Sequence, residues 1–400
     1  MTDTVYTNST KRNVGLLAAC QAMLFTNNST LIAINGLAGL ALAPHIGLAT
    51  LPVTCWILGG AIGTMPASLH MKRVGRQRGF SLGTTWGFAG ALVCGSAIWL
   101  QSFWLLCLGT LIWGVYNAYG QYYRFAAADA ASGDFKPVAI SLVLAGGLVG
   151  GVLGPNLSRF TVDLAGTRFL GAYLFLIVFI LATLILLRFI RIPTPTAAEA
   201  ASSGRPLSQI ASQPKFIVAV LAGAIGYGVM NFVMTSTPIA MQVCGHSYGD
   251  TAFIISSHVV GMFAPSFVTG PLIKRIGVLP VLFCGALLNM VAIGIALSGI
   301  SVMQFWWALV MIGVGWNFLY IGGTTLLTET YRPEERAKAQ GANDQSIFIM
   351  MAISSFTSGL TVTTGGWERV NLVALPLVAI VAVAIAWYAL RQRAQNATAA

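Results

Sequence analysis

Apolar residues run along this 400-residue chain in blocks of about twenty, separated by short polar segments. Two of the blocks, FLGAYLFLIVFILATLILL (169–187) and VNLVALPLVAIVAVAIAWYAL (370–390), are apolar almost throughout. A helix of ~20 residues crosses the ~30 Å hydrocarbon core of a bilayer. Lipid offers no partner to backbone N–H and C=O groups, so such blocks are helical. The pattern predicts twelve spans, at about 14–38, 47–70, 79–100, 103–126, 137–160, 167–190, 215–241, 249–272, 277–299, 303–328, 338–362 and 369–390. The polar segment 191–215, rich in Pro, Ser and Ala, separates six spans from six and reads as a linker. The expected organisation is a six-helix bundle over 1–190, a cytoplasmic linker over 191–214 and a second six-helix bundle over 215–400.

Composition agrees. The chain is 56% hydrophobic and 8% charged, against ~25% charged residues in soluble domains. The net charge of +11 raises the question of nucleic acid, but the Lys and Arg sit in loops. With both termini and the linker in the cytoplasm, 19 of the 22 basic residues fall on that side, leaving only Arg159, Arg168 and Arg369. This predicts a multi-pass membrane protein with no nucleic-acid partner. The N-terminus lacks the short apolar region and small-residue cleavage site of a signal peptide, so the first apolar block is read as a retained helix. Cys20, Cys55, Cys94, Cys107, Cys244 and Cys284 show no zinc or disulfide spacing and read as small hydrophobes. No phosphate-binding G-x-x-x-x-G-K-[S/T] is present. Neither covalent chemistry nor a cofactor is expected.

Polar residues inside the spans are the informative exceptions, because polar side chains in hydrocarbon are costly and turn toward cavities. The first span holds Asn27, Asn28, Ser29, Thr30 and Asn35. The fourth holds Tyr116, Asn117, Tyr119, Gln121, Tyr122 and Tyr123, which suit an organic, ring-bearing substrate. Asn27, Asn28, Asn35, Tyr116, Asn117 and Tyr119 are the candidate cavity lining.

A second group is built of soft donors. Met230 and Met234 lie four apart in the seventh span, and His258 and Met262 lie four apart in the eighth. Residues four apart share a helix face, and thioethers with an imidazole suit Cu(I) better than oxygen-seeking metals. Met is equally a packing residue, so both readings stand on spacing alone. Met241, Cys244 and His246 at the end of the seventh span are either a metal-capture set or an ordinary loop. Cys20, Met23, Met65, His70 and Met71 are candidates for a relay.

The halves look duplicated. KRVG (72–75) and KRIG (274–277) are 202 residues apart, and Lys136 and Lys338 share that offset. Charges at the helix ends are candidates for a gate: Arg73, Lys274 and Arg275 in the repeated loops, and Asp129, Glu329 and Asp344 beside Arg124, Arg332 and Arg336.

Six spans plus six, a central loop and basic loops after the second and eighth spans resemble the major facilitator superfamily. SLHMKRVGRQR (68–78) resembles its loop motif, with Lys72 where an Asp is usual; GPLIKRIG (270–277) departs likewise at Lys274. AGGLVGGVLGP (145–155) resembles a motif associated with antiporters, and its glycine spacing also suits close helix packing. MNFVM (230–234) and HVVGM (258–262) resemble the paired motifs of the CcoA-type bacterial copper importers. That resemblance implies an all-α fold of twelve transmembrane helices in two pseudo-symmetric bundles. It also implies a place in the bacterial inner membrane and Cu(I) as cargo, bound by Met230, Met234, His258 and Met262 during alternating access. Copper chaperones or assembly proteins of the cbb3-type cytochrome c oxidase would be the partners, alongside membrane lipid. Two rival readings remain. One is a carrier of a flavin-like or drug-like solute with the Met and His as packing. The other is a membrane scaffold or sensor, against which the Asn cluster argues.

Overall fold

The computed structural model describes residues 2–45, 48–131, 133–192, 194 and 204–399. Among these the chain is helical, with no strand. The first seven helices are α1 (Thr2–Leu42), α2 (Leu51–Val74), α3 (Arg76–Trp99), α4 (Phe103–Gly120), α5 (Tyr123–Ala130), α6 (Lys136–Thr161) and α7 (Leu170–Arg188). The others are α8 (Leu207–Ala211), α9 (Pro214–Val243), α10 (Tyr248–Phe263), α11 (Ser266–Ile276), α12 (Val278–Leu297), α13 (Val302–Leu327) and α14 (Arg336–Ala399). Residue 193 and residues 195–203 of the expected linker lie outside the described residues.

Eight of the described helical stretches are long and apolar enough to cross a membrane. The last, α14, breaks at Gly366 (φ 68°, ψ −171°) and supplies two crossings. The helices α2, α3 and α4 complete the twelve. Two spans are interrupted. The fourth breaks at Gln121 and Tyr122, ahead of α5. The eighth breaks at Ala264 and Pro265, where proline has no N–H to continue the helix. Pro238, by contrast, sits within an unbroken α9.

The KRVG and KRIG repeats have one backbone reason. Gly75 (φ 86°, ψ 164°) joins α2 to α3, and Gly277 (φ 90°, ψ 163°) joins α11 to α12. Each N–H closes the preceding helix, on Met71 O and Ile273 O respectively. This backbone region is open to glycine and almost no other residue.

The chain divides into two compact units. Unit 1 is residues 1–133, 142–203 and 336–345; unit 2 is residues 134–141, 204–335 and 346–400. In unit 1, α4 packs against α2 and α3, and α7 against α3 and α1. Gly146, Gly150 and Gly154 of α6 abut the α1 backbone, where a Cβ at Gly150 would stand 2.4 Å from Thr26 N. The glycine spacing of the fifth span thus serves close packing. In unit 2, α9, α10 and α12 all pack on α13. Capping boxes start α10 (Ser247 with Asp250) and α13 (Ser301 with Gln304).

Candidate functional site

Unit 1 gathers amides and aromatic rings. Asn28 Nδ2 donates to Asn117 Oδ1 over 2.7 Å, and Gln121 Nε2 reaches the same oxygen at 3.3 Å. Trp113 Nε1 donates to Asn28 Oδ1 at 3.3 Å, and its ring meets Tyr116 edge-on with centroids 5.5 Å apart. Tyr173 Oη donates to Asn35 Oδ1 over 2.6 Å. Tyr119 Oη lies 3.3 Å from His70 Nδ1, and Tyr122 Oη donates to Thr64 O. Asn27 is fully buried, beside the Tyr116 hydroxyl. Asn35 Nδ2 and Trp56 Nε1 are buried with no hydrogen-bond partner among the described residues. Leaving such a group unpaired costs ~1–3 kcal/mol, which a polar ligand can offset.

Unit 2 holds an aromatic cluster that sequence reasoning missed. Trp316 stacks on Tyr320 with centroids 5.0 Å apart and 17° between planes. Tyr227 meets both rings edge-on, at 5.3 and 5.4 Å, and Phe263 meets Trp316 at 5.7 Å. Trp316 Nε1 is buried without a hydrogen-bond partner among the described residues. The neighbouring Asn317 donates through Nδ2 to Met262 O and Ser266 Oγ, both at 2.6 Å, and accepts from Thr269 Oγ1. It thereby fastens α13 to the broken eighth span, supplying a donor where the helical ladder stops. Only three of these positions (227, 316 and 320) carry a signal in the sequence, as polar-tipped aromatics within spans.

Met230 and Met262 are buried, Met234 is half-buried and His258 is fully buried. His258 Nδ1 lies 2.6 Å from Leu309 O on α13, so the proton belongs on Nδ1. Nε2 is left buried without a partner. α9 and α10 pack mainly on α13 and only slightly on each other. Gly313 of α13 sits directly against the His258–Met262 backbone, where a Cβ would stand 2.8 Å from His258 O. The His-x-x-x-Met face is thus engaged with α13. Met241 is fully buried. Cys244 is half-buried and continues the end of α9 through Ala240 O. His246 bonds Ile300 O at 2.6 Å and packs on Phe305. These three form an ordered turn. No cluster of three His, Cys, Asp or Glu side chains suited to a metal occurs among the described residues.

The charged residues form two buried groups in unit 1. Arg76 Nε and Nη2 both reach Asp129 Oδ2, at 3.0 and 2.9 Å, and Nη2 also donates to Gln340 at 2.6 Å. Arg336 lies 3.2 Å from the same Asp129 oxygen. Arg124 pairs with Asp344, which also accepts from Asn343. In unit 2, Lys215 pairs with Glu329 at 2.8 Å, and Arg205 holds Glu335 at 2.6 Å. Those Arg205 bonds, with help from the Arg332 and Arg205 amides, outweigh burial and hold the Glu335 carboxyl down to about 2. Arg73, Lys274 and Arg275 are exposed and in no ion pair among the described residues. Arg76 is the loop cation that is buried and paired, a position the sequence reading had not singled out.

Comparison with known proteins gives consistent results. A family model described as Major Facilitator Superfamily matches residues 17–343 and 220–400. The riboflavin transporter RfnT of Brucella anthropi is 42% identical over 378 residues, 93% of this chain and 94% of that protein. The uncharacterised MFS-type transporter YddS of Bacillus subtilis is 28% identical, covering 85% of this chain and 82% of its own. Among solved structures, the facilitator FucP in its outward conformation has a TM-score of 0.79 at 16% identity, covering 95% of this chain and 99% of its own. A bacterial homologue of ferroportin has a TM-score of 0.76 at 13% identity, covering 94% and 99%. These two likenesses concern the fold alone.

The expectation of copper as cargo, with copper chaperones or oxidase-assembly proteins as partners, is thereby overturned. A relative at 42% identity along nearly the whole chain is a riboflavin transporter. Met and His four apart in apolar helices occur in packed cores as well as in soft-metal sites, so the spacing alone did not decide the cargo.

Proposed function

This chain belongs to the major facilitator superfamily, and from that premise we propose that it carries riboflavin, or a flavin of the same chemistry, across the membrane. The 42% identity to the Brucella anthropi riboflavin transporter carries this reading. The side chains suit it. A flavin joins a flat aromatic ring system to a polyhydroxyl chain. Amides such as Asn28, Asn117 and Gln121 donate to and accept from hydroxyls. Rings such as Trp113 and Tyr116 offer faces for stacking. Unit 2 offers a stacked indole and phenol in Trp316 and Tyr320. In unit 1 the buried donor Trp56 Nε1 is of the kind that pairs with a carbonyl oxygen, such as those of a flavin ring.

We place the protein in the bacterial inner membrane with both termini cytoplasmic, importing its solute by alternating access. No covalent step is involved. The test uses a riboflavin auxotroph lacking its own importer. Cells expressing this chain should accumulate labelled riboflavin above vector controls and grow at low external riboflavin. Uptake no greater than vector, with the protein present in the membrane, would refute the proposal.

A further inference from the structure

At the end of unit 1 remote from Arg76, the last turns of α1 meet the end of α3 and the turn ahead of α7. They enclose a cavity of about 550 Å³, lined by residues 37, 40–42, 98, 101 and 166–169. This size suits a small-molecule ligand. The lining has two characters. One wall is aliphatic, with Leu37, Leu40, Leu42 and Ile98. The other offers hydrogen-bond donors, namely Arg168, Thr167 and Gln101, and no carboxylate. Arg168 rests over the Phe169 ring, 5.2 Å from its centroid, and makes no ion pair among the described residues.

Two independent observations set this place apart. Among the described residues, only Gln101 (φ 53°) and Phe169 (φ 73°) are non-glycine residues with positive φ, and both line this cavity. Such backbone is costly and gathers at ligand clamps. Here it is held by hydrogen bonds, Phe169 N to Val162 O at 2.7 Å and Gln101 Nε2 to Ile98 O at 2.7 Å. The second observation is depth. Trp99 and Trp104, 70% and 63% exposed, flank Gln101 in the sequence, and exposed Trp marks the level where headgroups meet hydrocarbon.

We infer that this cavity binds the phosphodiester headgroup of an anionic phospholipid, with the acyl chains lying along Leu37 and Leu40. The guanidinium, with its fork of donors, matches phosphate oxygens. The lone cation without a carboxylate disfavours a zwitterionic headgroup, whose ammonium finds no partner. The aliphatic wall gives a soluble anion nothing to gain, and half-exposed Leu37 and Leu40 lead from the cavity into the bilayer.

The test takes the purified full chain in neutral detergent and offers phosphatidylglycerol or phosphatidylcholine with identical acyl chains. Native mass spectrometry then reads the lipid retained as detergent is stripped. One phosphatidylglycerol should be retained at concentrations where phosphatidylcholine is lost. R168Q should weaken that retention about tenfold, R168K less. L40W, which fills the cavity while keeping Arg168, should abolish it, so the outcome does not hang on one variant's folding. Equal retention of both lipids, or parent-like retention by R168Q and L40W, overturns the inference. Displacement of the lipid by glycerol phosphate at equal concentration also overturns it and points to a soluble anion.

Discussion

Asn28 on α1 and Asn117 on α4 share a 2.7 Å hydrogen bond in the interior of unit 1, with Trp113 and Gln121 bonded to the same two side chains. Such a network is fully formed only when each member is present. Asn117→Leu leaves Asn28 Nδ2 and Gln121 Nε2 without their acceptor. We expect a rise in KM for riboflavin of about tenfold, the equivalent of ~1.4 kcal/mol or one neutral hydrogen bond. Initial-rate uptake at matched membrane levels checks this. An unchanged KM would exclude Asn117 from the solute pathway.

The Met and His positions give the opposite expectation. Met234→Leu nearly preserves volume, and Met234 is half-buried. Riboflavin uptake should stay within about twofold of the parent, and cellular copper should not respond to expression of either form. His258→Leu removes the bond to Leu309 O, a helical carbonyl that keeps its own intrahelical partner. It should lower the thermal midpoint of the purified protein modestly, a loss of ~0.5–1.5 kcal/mol. Loss of uptake in Met234→Leu with normal membrane levels would count against the packing role.

Much of this was legible in the sequence. Span positions follow from apolar blocks, because the bilayer fixes their length. Pro265 explains the break in the eighth span. Helix facing was not legible. The Met and His spacings fix a shared face on each helix but not what that face meets; α9 and α10 both pack on α13, whose Leu309, 51 residues beyond His258, takes the imidazole's hydrogen bond. Charge pairing was partly legible. Asp129 and Asp344 stand beside basic residues in the sequence and are in ion pairs in the structure, but Lys72, Arg73, Arg76 and Arg78 look alike in sequence. Only the three-dimensional course of the α2–α3 turn selects Arg76 for burial.

That turn yields a third expectation. Gly75 and Gly277 occupy a region of backbone closed to residues with a Cβ. Gly75→Ala and Gly277→Ala should each cost ~1–3 kcal/mol. Thermal unfolding of the purified variants measures it, with Gly294→Ala, a helical position where a Cβ meets nothing within 4 Å, as the neutral comparison.

Arg124 and Asp344 are 1% and 2% exposed. Arg124 also donates to Gln121 O at 2.6 Å and lies 4.3 Å over the Phe125 ring. The pair fastens the first turns of α14 within unit 1, before that helix continues into unit 2. Removing one member strands the other charge away from water, at a cost of ~3–5 kcal/mol. Arg124→Met and Asp344→Leu should therefore each lower the thermal midpoint sharply. The double variant removes both charges and fills the space with apolar atoms, a change that is often neutral. It should recover at least half of the lost stability. Additive losses in the double variant would show that the two side chains act separately. Riboflavin uptake by the stable double variant then isolates the transport role of the charges. Uptake near the parent assigns the pair to stability, and uptake abolished in a protein that melts normally assigns it to the transport cycle.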